Sequence, residues 1–227
     1  MSAQDPYIWT KDKTLSRKFC KDLIDKFNSN SHLNSYGLTV NGEASDIKKS
    51  IDCYLSGYDI YKAEDEVFFN ALSSALTEYE QVVSNRVDVW HLSNNFVKCD
   101  FSSGLPTRDT GYQMQKTSPG DFYDWHHDWM YHNGGVRTLT YIWYLNTIKD
   151  GGYTEFFNGT KVQPVTGKLL IFPATWTYMH RGFPPKSQSK YIVTGWLLNQ
   201  LILLWQQHTM RTVHQVQESI QTEGILY

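Results

Sequence analysis

From residue 14 to residue 27 the apolar side chains Leu15, Phe19, Leu23, Ile24 and Phe27 recur at three- and four-residue spacing, the stripe of an amphipathic helix. Asn28, Ser29 and Asn30 end it, because short polar side chains compete for the backbone bonds a helix needs. Residues 63–83 repeat the pattern, with Val67, Phe68, Leu72, Leu76 and Tyr79 forming a stripe beside Glu64, Glu66 and Glu78. After Trp90 the texture changes to short runs of period-two alternation. Turn signals punctuate them at Ser118-Pro119-Gly120, Asn133-Gly134-Gly135, Asp150-Gly151-Gly152 and Asn158-Gly159-Thr160. Two helices followed by an antiparallel β region predict a β barrel or sandwich whose outside the helices brace. Residues 197–221 begin strand-like and turn polar and helix-compatible. They read either as a last brace or as an oligomer contact, a homodimer among the options.

The chain has 227 residues and is 41% hydrophobic, enough for one sizeable core. A single domain is expected, with residues 1–89 as helical and strand support, 90–200 as the β core and 201–227 as a tail or brace. The net charge of −2 offers no basic surface to nucleic acid or to an anionic membrane. A peptide or small-molecule substrate fits better. Cys20, Cys53 and Cys99 are odd in number and lack any CxxC spacing, so neither a disulfide framework nor a zinc knuckle is indicated and a reducing compartment fits. Residues 1–13 lack a basic region followed by an apolar stretch, and the longest apolar run, 201–205, is far short of a span. A soluble, cytoplasmic protein is therefore expected. Aromatic residues make up 15% of the chain and crowd the candidate site below, where they can wall a dry pocket.

Within residues 122–130, Tyr123, Trp125, His127 and Trp129 alternate with Phe122, Asp124, His126, Asp128 and Met130, as on a strand. Spacing of two puts His126 and Asp128 on one face and His127 on the other. A third ligand must come from a neighbouring strand, and His180 follows the strand-and-turn pattern of residues 167–173. Two imidazoles and one carboxylate can hold Fe(II) on one face and leave the opposite face open for a co-substrate and O₂. A lone His-x-Asp carries little weight in a chain with eight histidines. His32, His91, His132, His208 and His214 read as structural. The later His180 and Lys190, at the spacing a β barrel needs, give the set its force.

Six ordered blocks extend the pattern: Gly120-x-x-Tyr123-x-x-His126-x-Asp128, Tyr144-Leu145-Asn146, Gly151-Gly152-x-Thr154-x-Phe156, Gly167 through Phe172-Pro173, His180-x-Gly182-x-Pro184, and Lys190-Tyr191 through Trp196. With them, residues 112–196 resemble the prolyl 4-hydroxylase-like branch of the Fe(II)/2-oxoglutarate-dependent dioxygenases. Weaker similarity reaches Phe19-Cys20-x-x-Leu23-Ile24 and Lys49-Ser50-x-Asp52.

The resemblance implies a mainly β fold, a double-stranded β-helix (jelly roll, cupin-like) braced by N-terminal helices, with His126, Asp128 and His180 as iron ligands. It implies that Lys190 pairs with the distal carboxylate of 2-oxoglutarate, where one buried cation lowers the desolvation cost of a dianion. Tyr144 matches a tyrosine that hydrogen-bonds that carboxylate, Thr140 a second polar contact, and Trp196 a position near the iron. Relatives often carry a tyrosine where this chain has Thr117; Tyr112 or Tyr123 is the candidate to compensate, and Tyr123 matches a family position. The implied cofactors are Fe(II), 2-oxoglutarate and O₂, with ascorbate as an iron reductant. The implied reaction is hydroxylation of an unactivated C–H bond with release of succinate and CO₂. Retention of Asp128 argues against halogenation. Peptidyl or free proline is the expected substrate. The alternatives are another amino acid or small metabolite and, in a different class, a non-catalytic jelly-roll binding module. Residues 36–57 and 102–111 are expected at the mouth, where loops set specificity.

Overall fold

The computed structural model describes residues 5–39, 42, 46–86, 107–132 and 135–199. Cys99, His91, His208, His214, Asn133, Gly134, part of the expected mouth and the tail beyond Asn199 lie outside the described residues. In chain order the strands and helices are β1 (Trp9–Lys11), α1 (Arg17–Ser29), β2 (Ser35–Tyr36), β3 (Ile51–Tyr54), α2 (Lys62–Arg86), β4 (Thr107–Asp109), β5 (Gln113–Thr117), β6 (Tyr123–His126), β7 (Tyr131–His132), β8 (Gly135–Tyr144), β9 (Thr154–Phe156), β10 (Lys161–Val162), β11 (Lys168–Pro173), β12 (His180–Gly182) and β13 (Lys190–Asn199).

Both expected helices form. α1 starts at Arg17 rather than at residue 14, because the Ser16 side chain caps it by accepting from the Phe19 N–H at 3.1 Å. Thr14 is held instead on the Gly167 carbonyl, donating from both its backbone N–H and its hydroxyl. Gly167 has φ +78°, and a Cβ there would lie 2.3 Å from the Leu15 carbonyl oxygen, so only glycine permits that close approach. At the other end, Asn30 closes α1 by donating its backbone N–H and its side-chain amide to the Lys26 carbonyl. On α2 the buried stripe is Phe68, Leu72, Ala75, Tyr79 and Val83. Val67 falls off it and is exposed, because the true stripe begins one residue later.

The strands build two antiparallel sheets. The larger runs β1-β11-β8-β13-β5-β3-β2, with β4 also paired to β13 and β7 to β8; the smaller runs β10-β9-β12-β6. The alternation of the sequence decides what each face touches. Leu139, Tyr141 and Trp143 on β8, Leu169 and Ile171 on β11 and Val193 on β13 face outward, onto α1 and α2. Phe68 fills the centre of that layer, its ring 5.0 Å from that of Trp143 and 5.1 Å from that of Tyr112. Ile142 and Tyr144, Leu170 and Phe172, and Ile192 face the other way and close on Phe156 and Val162 of the small sheet. The result is a helix-braced jelly roll. Strands from before residue 60 and after residue 107 share its large sheet, so the N-terminal segment is woven into the β core. No helix among the described residues is long and apolar enough to cross a membrane.

Candidate metal centre

The space between the sheets narrows to a cavity of about 60 Å³, lined by side chains from both. The small sheet contributes Tyr123, His126, Thr154, His180 and Gly182, and the large sheet contributes Gln115, Thr117, Thr140, Ile142, Lys190, Ile192, Thr194 and Trp196. Asp128 joins them from the connection between β6 and β7. The strand expected over residues 122–130 stops at His126, two residues before Asp128. Even so, the side chains of His126, Asp128 and His180 converge, with one donor atom from each within 4.8 Å of the others. His127 is exposed.

Each imidazole is oriented by its own chain. His126 Nδ1 lies 2.7 Å from the Asp124 carbonyl and His180 Nδ1 lies 3.1 Å from that of Tyr178. Each Nδ1–H therefore donates to the backbone and leaves Nε2 as the free lone pair. The two Nε2 atoms stand 3.9 and 3.5 Å from the carboxylate oxygens of Asp128. The Phe172 ring packs edge-on against His180 at 4.7 Å. Burial and the neighbouring His180 push His126 down to about 3, so that ring is a neutral donor at ordinary pH. Burial by itself would raise Asp128, but His180 and His126, the Thr140 hydroxyl and the Trp196 indole hold it below the usual carboxylate range. Two imidazoles with Nε2 turned inward and an ionised carboxylate are the donor set a divalent metal requires.

The remaining candidate residues fall into distinct places. Thr140 donates its hydroxyl to Asp128 Oδ2 at 2.7 Å, so it orients the carboxylate, a different partner from the one the resemblance implied. Tyr144 is fully buried and its hydroxyl is 2.7 Å from that of Thr154; Thr154, which sequence reasoning left without a role, is the one that lines the cavity. Tyr123 stacks on His126, centroids 3.5 Å apart and planes within 11°. Regular alternation sets these two on opposite faces. A register shift between His126↔His180 and Tyr123↔Gly182 spends three residues of β6 on two of β12, and this bulge turns both inward. Tyr112 belongs to the helix-facing layer and donates its hydroxyl to Asp109, so of the two tyrosines only Tyr123 is at the cavity. Trp196 lines the cavity with its buried indole N–H on the Asp128 side, near enough to favour the ionised carboxylate but outside hydrogen-bond geometry with any of the described residues. The Arg137 guanidinium lies 3.6 Å over its ring, a pair that no motif signalled.

Lys190 is 4% exposed and stands opposite Thr117 in register. Burial lowers it to about 8, and no anionic or hydrogen-bonding partner accompanies it among the described residues. A Cβ on Gly182 would sit 3.5 Å from its Nζ, so the missing side chain is what leaves space beside the ammonium.

Residues 112–198 match the model of the 2OG-Fe(II) oxygenase superfamily, the same stretch that carries the jelly roll and the two-histidine, one-carboxylate cluster. That match spans less than half of the 227-residue chain, and members of the superfamily work with Fe(II), 2-oxoglutarate and O₂. The fold is one shared with solved prolyl hydroxylases. A viral collagen prolyl hydroxylase from Paramecium Bursaria Chlorella virus-1, solved with 2-oxoglutarate, aligns at 18% identity over 85% of this chain and 96% of its own, TM-score 0.54. A Pseudomonas putida prolyl-4-hydroxylase aligns at 17% over 85% and 93%, TM-score 0.59. A Trichoplax adhaerens prolyl hydroxylase, in complex with a hypoxia inducible factor oxygen degradation domain peptide fragment, aligns at 16% over 86% and 84%, TM-score 0.62. No curated protein matches the chain by sequence.

Proposed function

We propose that the protein is an Fe(II)- and 2-oxoglutarate-dependent hydroxylase of prolyl residues in a peptide. In this reading His126, Asp128 and His180 hold the metal and Lys190 holds the distal carboxylate of 2-oxoglutarate. The observation that carries it is the pairing of two sites in one cavity: a cluster of two imidazoles and a carboxylate, and a buried ammonium with no counter-charge among the described residues. A lone buried cation is costly unless an anion joins it, and 2-oxoglutarate is a dianion small enough to span from metal to lysine. When bound, Fe(II) and 2-oxoglutarate supply the oxidation of an unactivated C–H bond, with succinate and CO₂ as by-products and ascorbate as a reductant that keeps the iron ferrous.

The chain's own residues orient and shield. Thr140 fixes the Asp128 carboxylate, the Asp124 and Tyr178 carbonyls fix the imidazole planes, and Thr154 offers its hydroxyl to the cavity with Tyr144 behind it. Ile142, Ile192 and Phe172 keep the inner wall apolar and exclude water. Substrate access is supported by a groove of about 610 Å³ lined by Tyr54, Asp109, Gln113, Arg137, Trp196 and Leu198, among others. Trp196 lines both this groove and the metal cavity, so a chain lying in the groove reaches the metal past its ring. A groove of that size suits a peptide, which the Trichoplax adhaerens neighbour also binds. Free proline or another small metabolite is the second reading.

The test is succinate release with Fe(II) and 2-oxoglutarate against proline-rich peptides, free proline and a metabolite panel, with mass detection of a gain of about 16 Da. Peptide-stimulated succinate with hydroxylation at proline is expected. Stimulation by free proline alone would overturn the peptide assignment, and absence of any succinate would overturn the enzyme assignment.

A further inference from the structure

A buried ion pair that the proposed chemistry does not use adjoins the metal site. Lys48 is 5% and Asp52 is 4% exposed, and Lys48 Nζ donates to Asp52 Oδ2 at 2.6 Å. The same carboxylate accepts from Ser50 Oγ at 2.7 Å and Gln113 Nε2 at 2.9 Å, and Lys48 also reaches the Leu38 carbonyl at 3.3 Å. The network is satisfied, but desolvating two charges makes such a pair a poor source of stability. Its placement is more informative.

The backbone around Lys48 closes the free edge of the small sheet. Lys49 N–H donates to the Phe122 carbonyl, Asp124 N–H to the Ile47 carbonyl, and Lys48 pairs with Tyr123 as a β-bridge. Tyr123 is in turn opposite Gly182, and Gly182 opposite Thr154. Lys48, Tyr123, Gly182 and Thr154 therefore make one row across the sheet, in which Gly182 is the gap beside Lys190. The Lys48 ammonium lies 5.2 Å over the Tyr123 ring, and that ring is the one stacked on His126.

We infer that the Lys48–Asp52 pair is a positioning device for the metal site: it clamps the Tyr123 ring against His126, fixing the imidazole plane and keeping the gap at Gly182 clear. Being a pair, it does this without adding net charge next to a divalent ion. The inference rests on the proposed metal site, and a cation over an aromatic ring contributes enough to hold one rotamer against its alternatives.

The test is a double-mutant cycle read as metal affinity of the metal-free protein, by calorimetric titration with Co(II) or Mn(II), with no turnover involved. Lys48→Met combined with Asp52→Leu removes both charges together, so neither is left buried alone. It is expected to weaken metal binding about tenfold, and to change it less than about twofold in a Tyr123→Leu background, because the pair acts through that ring. The visible spectrum of bound Co(II) should change with the pair only while the ring is present. An equal loss in both backgrounds, or none in either, overturns the inference. If the double variant does not fold, Lys48→Gln, which keeps a donor to Asp52 but removes the cation over the ring, takes its place under the same criterion. Absence of metal binding by the unaltered protein would instead overturn the metal site itself, and the two failures are thereby told apart.

Discussion

Replacing Lys190 by methionine keeps the length of the side chain and removes its charge, and the structure predicts opposite effects on stability and on co-substrate binding. Burial lowers the ammonium from 10.5 to about 8. At about 1.4 kcal/mol per unit, charging this side chain opposes folding by about 3 kcal/mol at neutral pH. The folded value lies below the unfolded one, so this penalty is at full size below about pH 8 and fades as the pH rises toward about 10.5. Without 2-oxoglutarate, Lys190→Met should therefore melt about 6–12 °C higher than the parent at about pH 7, with the gap closing at about pH 10. The same variant should lose about 100-fold or more in 2-oxoglutarate affinity, since a buried carboxylate is left without its cation. Thermal unfolding at the two pH values and calorimetric titration with 2-oxoglutarate measure both effects. A variant less stable than the parent at neutral pH, or one that binds 2-oxoglutarate as before, would refute the reasoning.

Three further outcomes are expected. His180→Ala and Asp128→Ala should each abolish metal binding and succinate formation, whereas His127→Ala, whose side chain is exposed, should keep metal affinity within about tenfold; near-normal turnover in the His180 variant would remove the ligand assignment. Thr140→Val preserves shape but leaves Asp128 without its hydroxyl donor, so metal affinity should fall by about tenfold or more in a titration. Gly182→Val puts carbon where the gap beside Lys190 now is; the 2-oxoglutarate requirement should rise with the metal affinity largely kept, and an unchanged requirement would misplace the co-substrate seat.

Much of this was legible along the chain because it depends on local periodicity. The stripes ending in Phe27 and Tyr79 mark two helices whose buried faces include Leu23 and Phe27 on one and Phe68, Leu72 and Tyr79 on the other, and the His126-x-Asp128 pair with a distant His180 marks three side chains that converge on one cavity. The errors arose where local rules meet a neighbour. The helix does not extend back to Thr14 because Gly167, far along the chain, takes that residue's donors. Asp128 reaches the cluster from beyond the strand end, so the alternation that paired it with His126 selected two residues that do converge, through an incomplete geometry. Thr140 and Tyr144 do share a face, as their spacing implies, yet their hydroxyls go to Asp128 and Thr154. Nothing in the spacing of two side chains on one strand specifies what the opposite sheet holds out to them.

The sequence by itself determined the two helices, the antiparallel β region that follows them and the types of side chain available to a metal, since these follow from backbone periodicity and donor chemistry. Tertiary structure alone decided three things: that a bulge in β6 turns Tyr123 onto His126, that the absent side chain of Gly182 opens space next to Lys190, and that Lys48, paired with Asp52, lies over the Tyr123 ring. Each depends on the register of one strand against another. Register is set by the packing of the whole sheet, which no window along the chain contains.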